Sequence, residues 1–138
     1  MKERWREGYK VVFVTRNRRL VSEMGPHIDG VVEYKVGKKT VPSSGCGPLC
    51  IYTTLRAAVL ETFRFLYNWR DFKNTYAVYN CTYTPSRKKT VWLDKDWSKA
   101  RLKDLSDGTA LAEAVVLGTR VPDTEVERVF EHGFSMGE

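Results

Sequence analysis

Residues 9–15 (YKVVFVT) and 76–84 (YAVYNCTYT) are so crowded with β-branched and aromatic side chains that extended strands are the regular structure they favour. Each runs into a basic turn and then a shorter β-rich run. Arg16-Asn17-Arg18 leads to residues 19–22 (RLVS), with Asn17 as the residue that tolerates positive φ. Residues 85–89 (PSRKK) lead to 90–93 (TVWL). The spacing predicts two hairpins with cationic tips.

The chain between and after these hairpins supplies the other elements. Gly25-Pro26 marks a turn before 31–36 (VVEYKV), where Val32, Tyr34 and Val36 alternate with Glu33 and Lys35, as a strand with one buried face requires. Residues 37–48 (GKKTVPSSGCGP) have loop chemistry, and a loop of that length is disproportionately functional. A short apolar strand follows at 49–52 (LCIY). Thr53 or Thr54 then offers a hydroxyl to cap a helix, and Leu55, Ala58, Val59, Thr62, Phe63 and Leu66 recur at three- and four-residue steps up to about Trp69. Residues 94–108 alternate charge with Trp97, Leu102 and Leu105 and read as an irregular excursion ended by Gly108. The alanines of 109–117 (TALAEAVVL) favour helix, but the preceding turn and the TRV continuation favour a closing strand, which is the reading adopted. Asp123 or Thr124 after Pro122 caps a terminal helix to about His132, with Gly133 ending it.

The expected fold class is therefore α+β. A largely antiparallel sheet of about six strands carries one long packed helix at 54–69 and a short acidic C-terminal helix. With 138 residues, 42% of them apolar, the chain forms a single domain over 1–138 that buries roughly two-thirds of its unfolded surface. No repeat or linker divides it, and a disordered or fibrous reading is excluded. The longest early apolar run, Val11-Val12-Phe13-Val14, is too short for an export signal or a membrane span. The cytoplasm of a cell or of an infected host is the expected compartment. Three cysteines, Cys46, Cys50 and Cys81, are an odd number, so reduced thiols are expected rather than a disulfide framework.

Net charge is +6, and its distribution is uneven. Residues 1–19 hold seven Lys/Arg against two Glu, and residues 86–103 hold seven against two Asp. Residues 123–138 reverse the sign, with five carboxylates against Arg128. The two ends of the chain attract different partners, or each other.

Four groups of residues could carry chemistry. Cys46 between two glycines is accessible, but a nucleophilic thiolate needs a base such as His27 or His132, and nothing in the sequence places either beside it. The three cysteines with one histidine could ligate zinc, yet the spacing lacks a second matching pair. The bland alternative, a turn shaped by Gly45, Gly47 and Pro48 with Cys50 as a small core residue, is preferred. No catalytic residue is singled out, and no metal or cofactor is expected. Gly45, Gly47, Tyr52, Thr53 and Thr54 form a candidate ligand pocket, because glycines, hydroxyls and the free amides of a helix start favour an anionic group. Last, the hairpin tips carry Arg16, Arg18 and Arg19, and Arg87, Lys88 and Lys89, with Tyr83 and Trp92 as aromatic partners. That combination suits phosphate neutralisation plus base stacking, although turns of this kind also keep hairpins soluble.

Two resemblances bear on these segments. Tyr34-x-Val36-Gly37-Lys38, then Gly47-Pro48-Leu49-x-Ile51-Tyr52-x-Thr54-Leu55 with Ala58, and Gly108-Thr109-Ala110-Leu111-Ala112-x-x-Val115-x-Leu117, resemble a group of small uncharacterised prokaryotic and phage proteins. That resemblance implies no established activity. GPLCIYTTLRAA is similar to the strand-and-helix segment of ADP-ribosyltransferase-like domains. It implies a nicotinamide pocket along the Tyr52 strand, with Arg16 as the first-strand residue and Glu125-Val126-Glu127 as the E-x-E, here in the segment read as the terminal helix. The expected role is a small basic binding module, an accessory protein of a virus or mobile element contacting nucleic acid or an acidic host protein, with no membrane partner. The alternative is the transferase-like enzyme or nucleotide pocket at 45–58.

Overall fold

The computed structural model describes residues 4–22, 32–42, 47–63, 75–91, 100–101, 105 and 107–135. Nine strands and two helices lie among them. In chain order they are β1 (Arg6–Val14), β2 (Leu20–Ser22), β3 (Glu33–Tyr34), β4 (Lys39–Thr40), β5 (Leu49–Tyr52), α1 (Leu55–Phe63), β6 (Tyr76–Pro85), β7 (Thr90–Val91), β8 (Ala100–Arg101), β9 (Thr109–Arg120) and α2 (Asp123–Ser135). The α+β class holds, and every strand pair is antiparallel.

Seven strands form one sheet that closes on itself. β1 pairs with β6 from Arg6↔Tyr83 to Phe13↔Tyr76, β6 pairs with β9, β9 pairs with β5, and β5 returns to β1 through Tyr9↔Tyr52. β2 and β3 extend the sheet from the far end of β1, and β4 from β9. The expected sheet of about six strands is thus a small closed barrel. The second expected hairpin is corrected as well: β6 turns away to β1 and β9, while Thr90 and Val91 pair with Arg101 and Ala100 in a separate ribbon. Residues 76–84 carry apolar groups on both faces because one face lines the barrel and part of the other lies under the helices.

Closure creates two cores. The interior holds Val12 of β1, Ala77, Cys81 and Tyr83 of β6, Leu49 and Ile51 of β5, and Ala112, Val115 and Leu117 of β9, with Val32 and Tyr34. Residues on the outer side, Val11, Val78 and Tyr52, meet Ala58 and Val59 of α1 and Val126 of α2 in the second core, and Val121 joins them from the β9–α2 junction. The two helices pack against each other over this patch. On β9 the inward positions pass from Ala110 and Ala112 to Val115 and Leu117, a change of parity. The extra residue is absorbed by a register shift between Thr84↔Ala114 and Pro85↔Ala112.

Lys10 lies on the inward side of β1 and is 3% exposed. Its ammonium donates to the Cys50 carbonyl at 2.6 Å and lies 5.3 Å from the centre of the Tyr34 ring. A buried cation needs such partners, because desolvation without them would cost several kcal/mol. Gly8, two residues earlier on the same side, is tightly enclosed: a Cβ there would stand 3.0 Å from the Tyr52 carbonyl oxygen and 3.1 Å from Ile51, so either neighbour would have to give.

Local chemistry sets the remaining boundaries. The β1–β2 tip is a three-residue loop in which the Arg18 N–H donates to the Thr15 carbonyl at 2.9 Å and the Thr15 N–H to the Arg19 carbonyl at 2.9 Å. Its left-handed residue is Arg18 (φ 62), not Asn17, because in a three-residue loop the last residue, which follows the type I turn, takes that conformation and the central one does not. Strand β3 stops at Tyr34. A type II turn follows, with Gly37 at φ 80 and the Lys38 N–H donating to the Lys35 carbonyl at 3.0 Å, so Val36 is exposed rather than in line with Val32 and Tyr34. The expected loop at 37–48 therefore contains a strand, β4. Thr54 caps α1, accepting from the Ala57 N–H at 3.1 Å. Of the expected helix at 54–69, α1 accounts for Leu55–Phe63, and 64–69 lie outside the described residues. The segment 109–117 is strand, continuing to Arg120, and α2 runs through Gly133 to Ser135 instead of ending there.

Two substitutions test this backbone account by chemical denaturation. Arg18→Gly relieves a left-handed L-residue and is expected to stabilise the protein by about 0.5–1 kcal/mol. Gly108→Ala is expected to cost roughly 2–4 kcal/mol, because φ is +87 there and the new Cβ would stand 2.5 Å from the Ala57 Cβ.

Candidate nucleic-acid interface

The antiparallel β1–β6 ladder decides where the cationic segments lie. Arg16, Arg18 and Arg19 follow the Phe13↔Tyr76 end, whereas Arg87, Lys88 and Lys89 follow β6 at the Arg6↔Tyr83 end. Seven steps at 3.4 Å separate these two pairs by about 24 Å. The tips therefore diverge and do not build one surface.

Their surroundings differ too. Arg19 is paired with Glu33 at 3.3 Å. At the same end, α2 starts beside the β6 residues Tyr76–Val78, since the Val121 N–H donates to the Val78 carbonyl at 2.8 Å. It brings Asp123, Glu125, Glu127 and Glu131 against Arg128. Asp123 itself pairs with Arg120 at 3.2 Å. At the other end Arg87, Lys88 and Lys89 are exposed and are joined by Arg6 and, two residues upstream, Arg4. Among the described residues no carboxylate pairs with Arg4, Arg6, Arg87 or Lys89. Ser86 fixes the base of this loop: its hydroxyl donates to Glu113 at 2.6 Å and accepts from the Lys88 N–H at 3.0 Å.

Of the expected aromatic partners, Tyr83 is corrected: it is 4% exposed inside the barrel and offers no face to a base. Trp92 lies outside the described residues. Tyr9, an aromatic near the first basic tip in sequence, is half-buried at the edge of the helix-covered patch, and sequence reasoning missed Trp5, 38% exposed just before β1. Both share the outward parity of β1 with Glu7, an alternation visible in Trp5-x-Glu7-x-Tyr9.

Beside Tyr9 a groove of about 600 Å³ crosses the outer face of three adjacent strands. Glu7 and Tyr9 of β1, Asn80 and Thr82 of β6, and Val116, Gly118 and Thr119 of β9 line it, with Thr53 at one side. The registers Tyr9↔Asn80, Glu7↔Thr82, Thr82↔Val116 and Val116↔Lys39 set these groups in rows. The Asn80 amide donates to Thr119 Oγ1 at 3.3 Å, a long and readily exchanged contact. Gly118 lets β9 approach β6 closely at the register shift, since a Cβ there would stand 3.3 Å from the Asn80 carbonyl oxygen.

The candidate pocket at 45–54 is not assembled as a cavity by its described members. Gly47 is buried, Tyr52 is 3% exposed beneath the helices, and Gly45 lies outside the described residues. The Thr53 N–H and hydroxyl both donate to the Gly108 carbonyl, at 2.8 and 3.2 Å, while Thr54 caps α1. The sequence features that suggested a ligand there are used to start the helix and to tie it to the turn before β9. A smaller depression of about 450 Å³ beside α1 includes Thr54, Arg56, Glu61 and Asp107.

The candidate nucleophile Cys46 lies outside the described residues. Cys81 is buried in the barrel and burial pushes its pKa up to about 11, against the opposing pull of the Lys10 charge, so at neutral pH it is a thiol and not a nucleophile. Among the described residues no three His, Cys, Asp or Glu side chains gather as metal ligands, and no described helix is long and apolar enough to cross a membrane. No protein-family model matches the chain, and neither a curated protein nor a solved structure matches it.

Proposed function

We propose that this chain is a small nucleic-acid-binding module that holds the phosphate backbone with one end of its barrel. The observation that carries the reading is the gathering of Arg4, Arg6, Arg87, Lys88 and Lys89 at the Arg6↔Tyr83 end. The carboxylates of α2 and Glu33 stand at the opposite end. At the first end Glu7 and the Ser86-bound Glu113 stand among five cations, so the balance there stays positive and a polyanion is drawn to it.

The β1–β2 tip has no part in this site. Arg19 is engaged by Glu33, and the tip stands about 24 Å away along the ladder. An acidic host protein would answer to the same charges, but it would be recognised without any affinity for oligonucleotides.

Fluorescence anisotropy with a labelled oligonucleotide, over a series of salt concentrations, tests the proposal. Five neutralised phosphates on a single strand predict a slope of log K against log salt of about −3.5. Replacing Arg87, Lys88 and Lys89 together by Ala is expected to shorten that slope by about 2, whereas Arg16→Ala with Arg18→Ala leaves it unchanged. No oligonucleotide binding at low salt, with capture of an acidic protein retained, would put the host-protein reading in its place.

A further inference from the structure

We infer that the groove across β1, β6 and β9 is a base-binding subsite for single-stranded nucleic acid, so that the module prefers unpaired strands to duplex. The inference rests on the phosphate-binding reading of the adjoining cationic end and adds what the bases do.

The outer face of the β1–β6 pair is divided in two. Val11↔Val78 and Phe13↔Tyr76 lie in the half next to the helices, whereas Tyr9↔Asn80 and Glu7↔Thr82 form the half that opens into the groove. Beyond the Tyr9 ring the chemistry changes from aliphatic and aromatic to amide, hydroxyl and carboxylate.

What remains suits a splayed strand. Tyr9 supplies a ring for stacking, and Asn80, Thr82 and Thr119 supply donors and acceptors for base edges. From the Tyr9↔Asn80 row to the Arg6↔Tyr83 row is about 10 Å, the length of about three stacked nucleotides, so bases in the groove leave their phosphates at the cationic end. A duplex keeps its base faces stacked on one another and presents only base edges and phosphates, so it has no free base face for the Tyr9 ring, and Glu7 repels its phosphates. The same carboxylate accepts hydrogen bonds from exocyclic amino groups, which cytosine has and thymine lacks. The preferred ligand is therefore an unpaired strand rich in amino-bearing bases.

The test measures four ligands on the intact protein by anisotropy or competition: a twelve-nucleotide oligo(dC), the matching oligo(dT), a twelve-base-pair duplex, and heparin as a polyanion without bases. The expected result is oligo(dC) bound at least fivefold more tightly than the duplex and more tightly than oligo(dT), with Glu7→Gln erasing the difference between the two homopolymers. Tyr9→Ser is expected to weaken oligo(dC) about fivefold or more while heparin binding is unchanged. Thr82→Ile, on an exposed strand position that accepts a β-branched residue, makes the same test should Tyr9→Ser unfold the protein. Equal affinity for single strand and duplex, or Thr82→Ile without effect, overturns the base subsite and leaves the phosphate site standing. Loss of all four ligands at low salt overturns the phosphate site itself.

Discussion

The single hydrogen-bonded pairing of β1 with β5, at Tyr9 and Tyr52, closes a circuit that β6 and β9 complete. Every strand of that circuit then has a neighbour on both sides, which removes edges that would otherwise be open to pairing with other chains. Closure also demands close approach, and Gly8 meets that demand: its missing side chain lets β1 pass within contact of the Tyr52 carbonyl and Ile51. Inside the ring the same geometry forces Lys10 into the core, where a carbonyl and an aromatic ring replace water around its charge.

Two consequences run outward from the circuit. Alternation along β1 and β6 gives an outer face as well as an interior, and α1 and α2 cover only the part of it that carries Val11 and Val78. The uncovered part becomes the groove. Because β1 and β6 are antiparallel, the loop after β6 comes back beside the start of β1, and cations far apart in sequence meet at one end. Acidic α2 leaves from the other end, directly after β9. Charge is therefore separated along the barrel axis by topology and not by any local motif.

Local chemistry was legible in the sequence, and pairing was not. The β1–β2 hairpin, the threonine cap of α1, the strand after Gly108 and the helix start after Pro122 each follow from a few neighbouring residues. Which strand lies beside β6 does not, since Tyr76, Val78, Cys81 and Tyr83 suit a hairpin and a barrel wall equally well. Reading 76–84 as half of a hairpin cast Tyr83 as a stacking partner, whereas it faces the barrel interior. The polar members of the same strand, Asn80 and Thr82, were the available signal. Their alternation with Cys81 and Tyr83 marks the point at which the outer face stops being core. Left-handed Arg18 was hidden for a different reason: the loop's hydrogen-bond pattern, not residue preference, selects the residue that adopts positive φ.

The central claim is that one end of the barrel and the adjoining open sheet face bind together as a single surface. Amide chemical-shift mapping by nuclear magnetic resonance during titration with a short single-stranded oligonucleotide tests it most directly. The account predicts that perturbations concentrate at residues 4–9, 80–89 and 116–119, and leave 16–19 and 123–132 unmoved. Perturbations centred on 16–19, or spread evenly over every exposed cation, would contradict it.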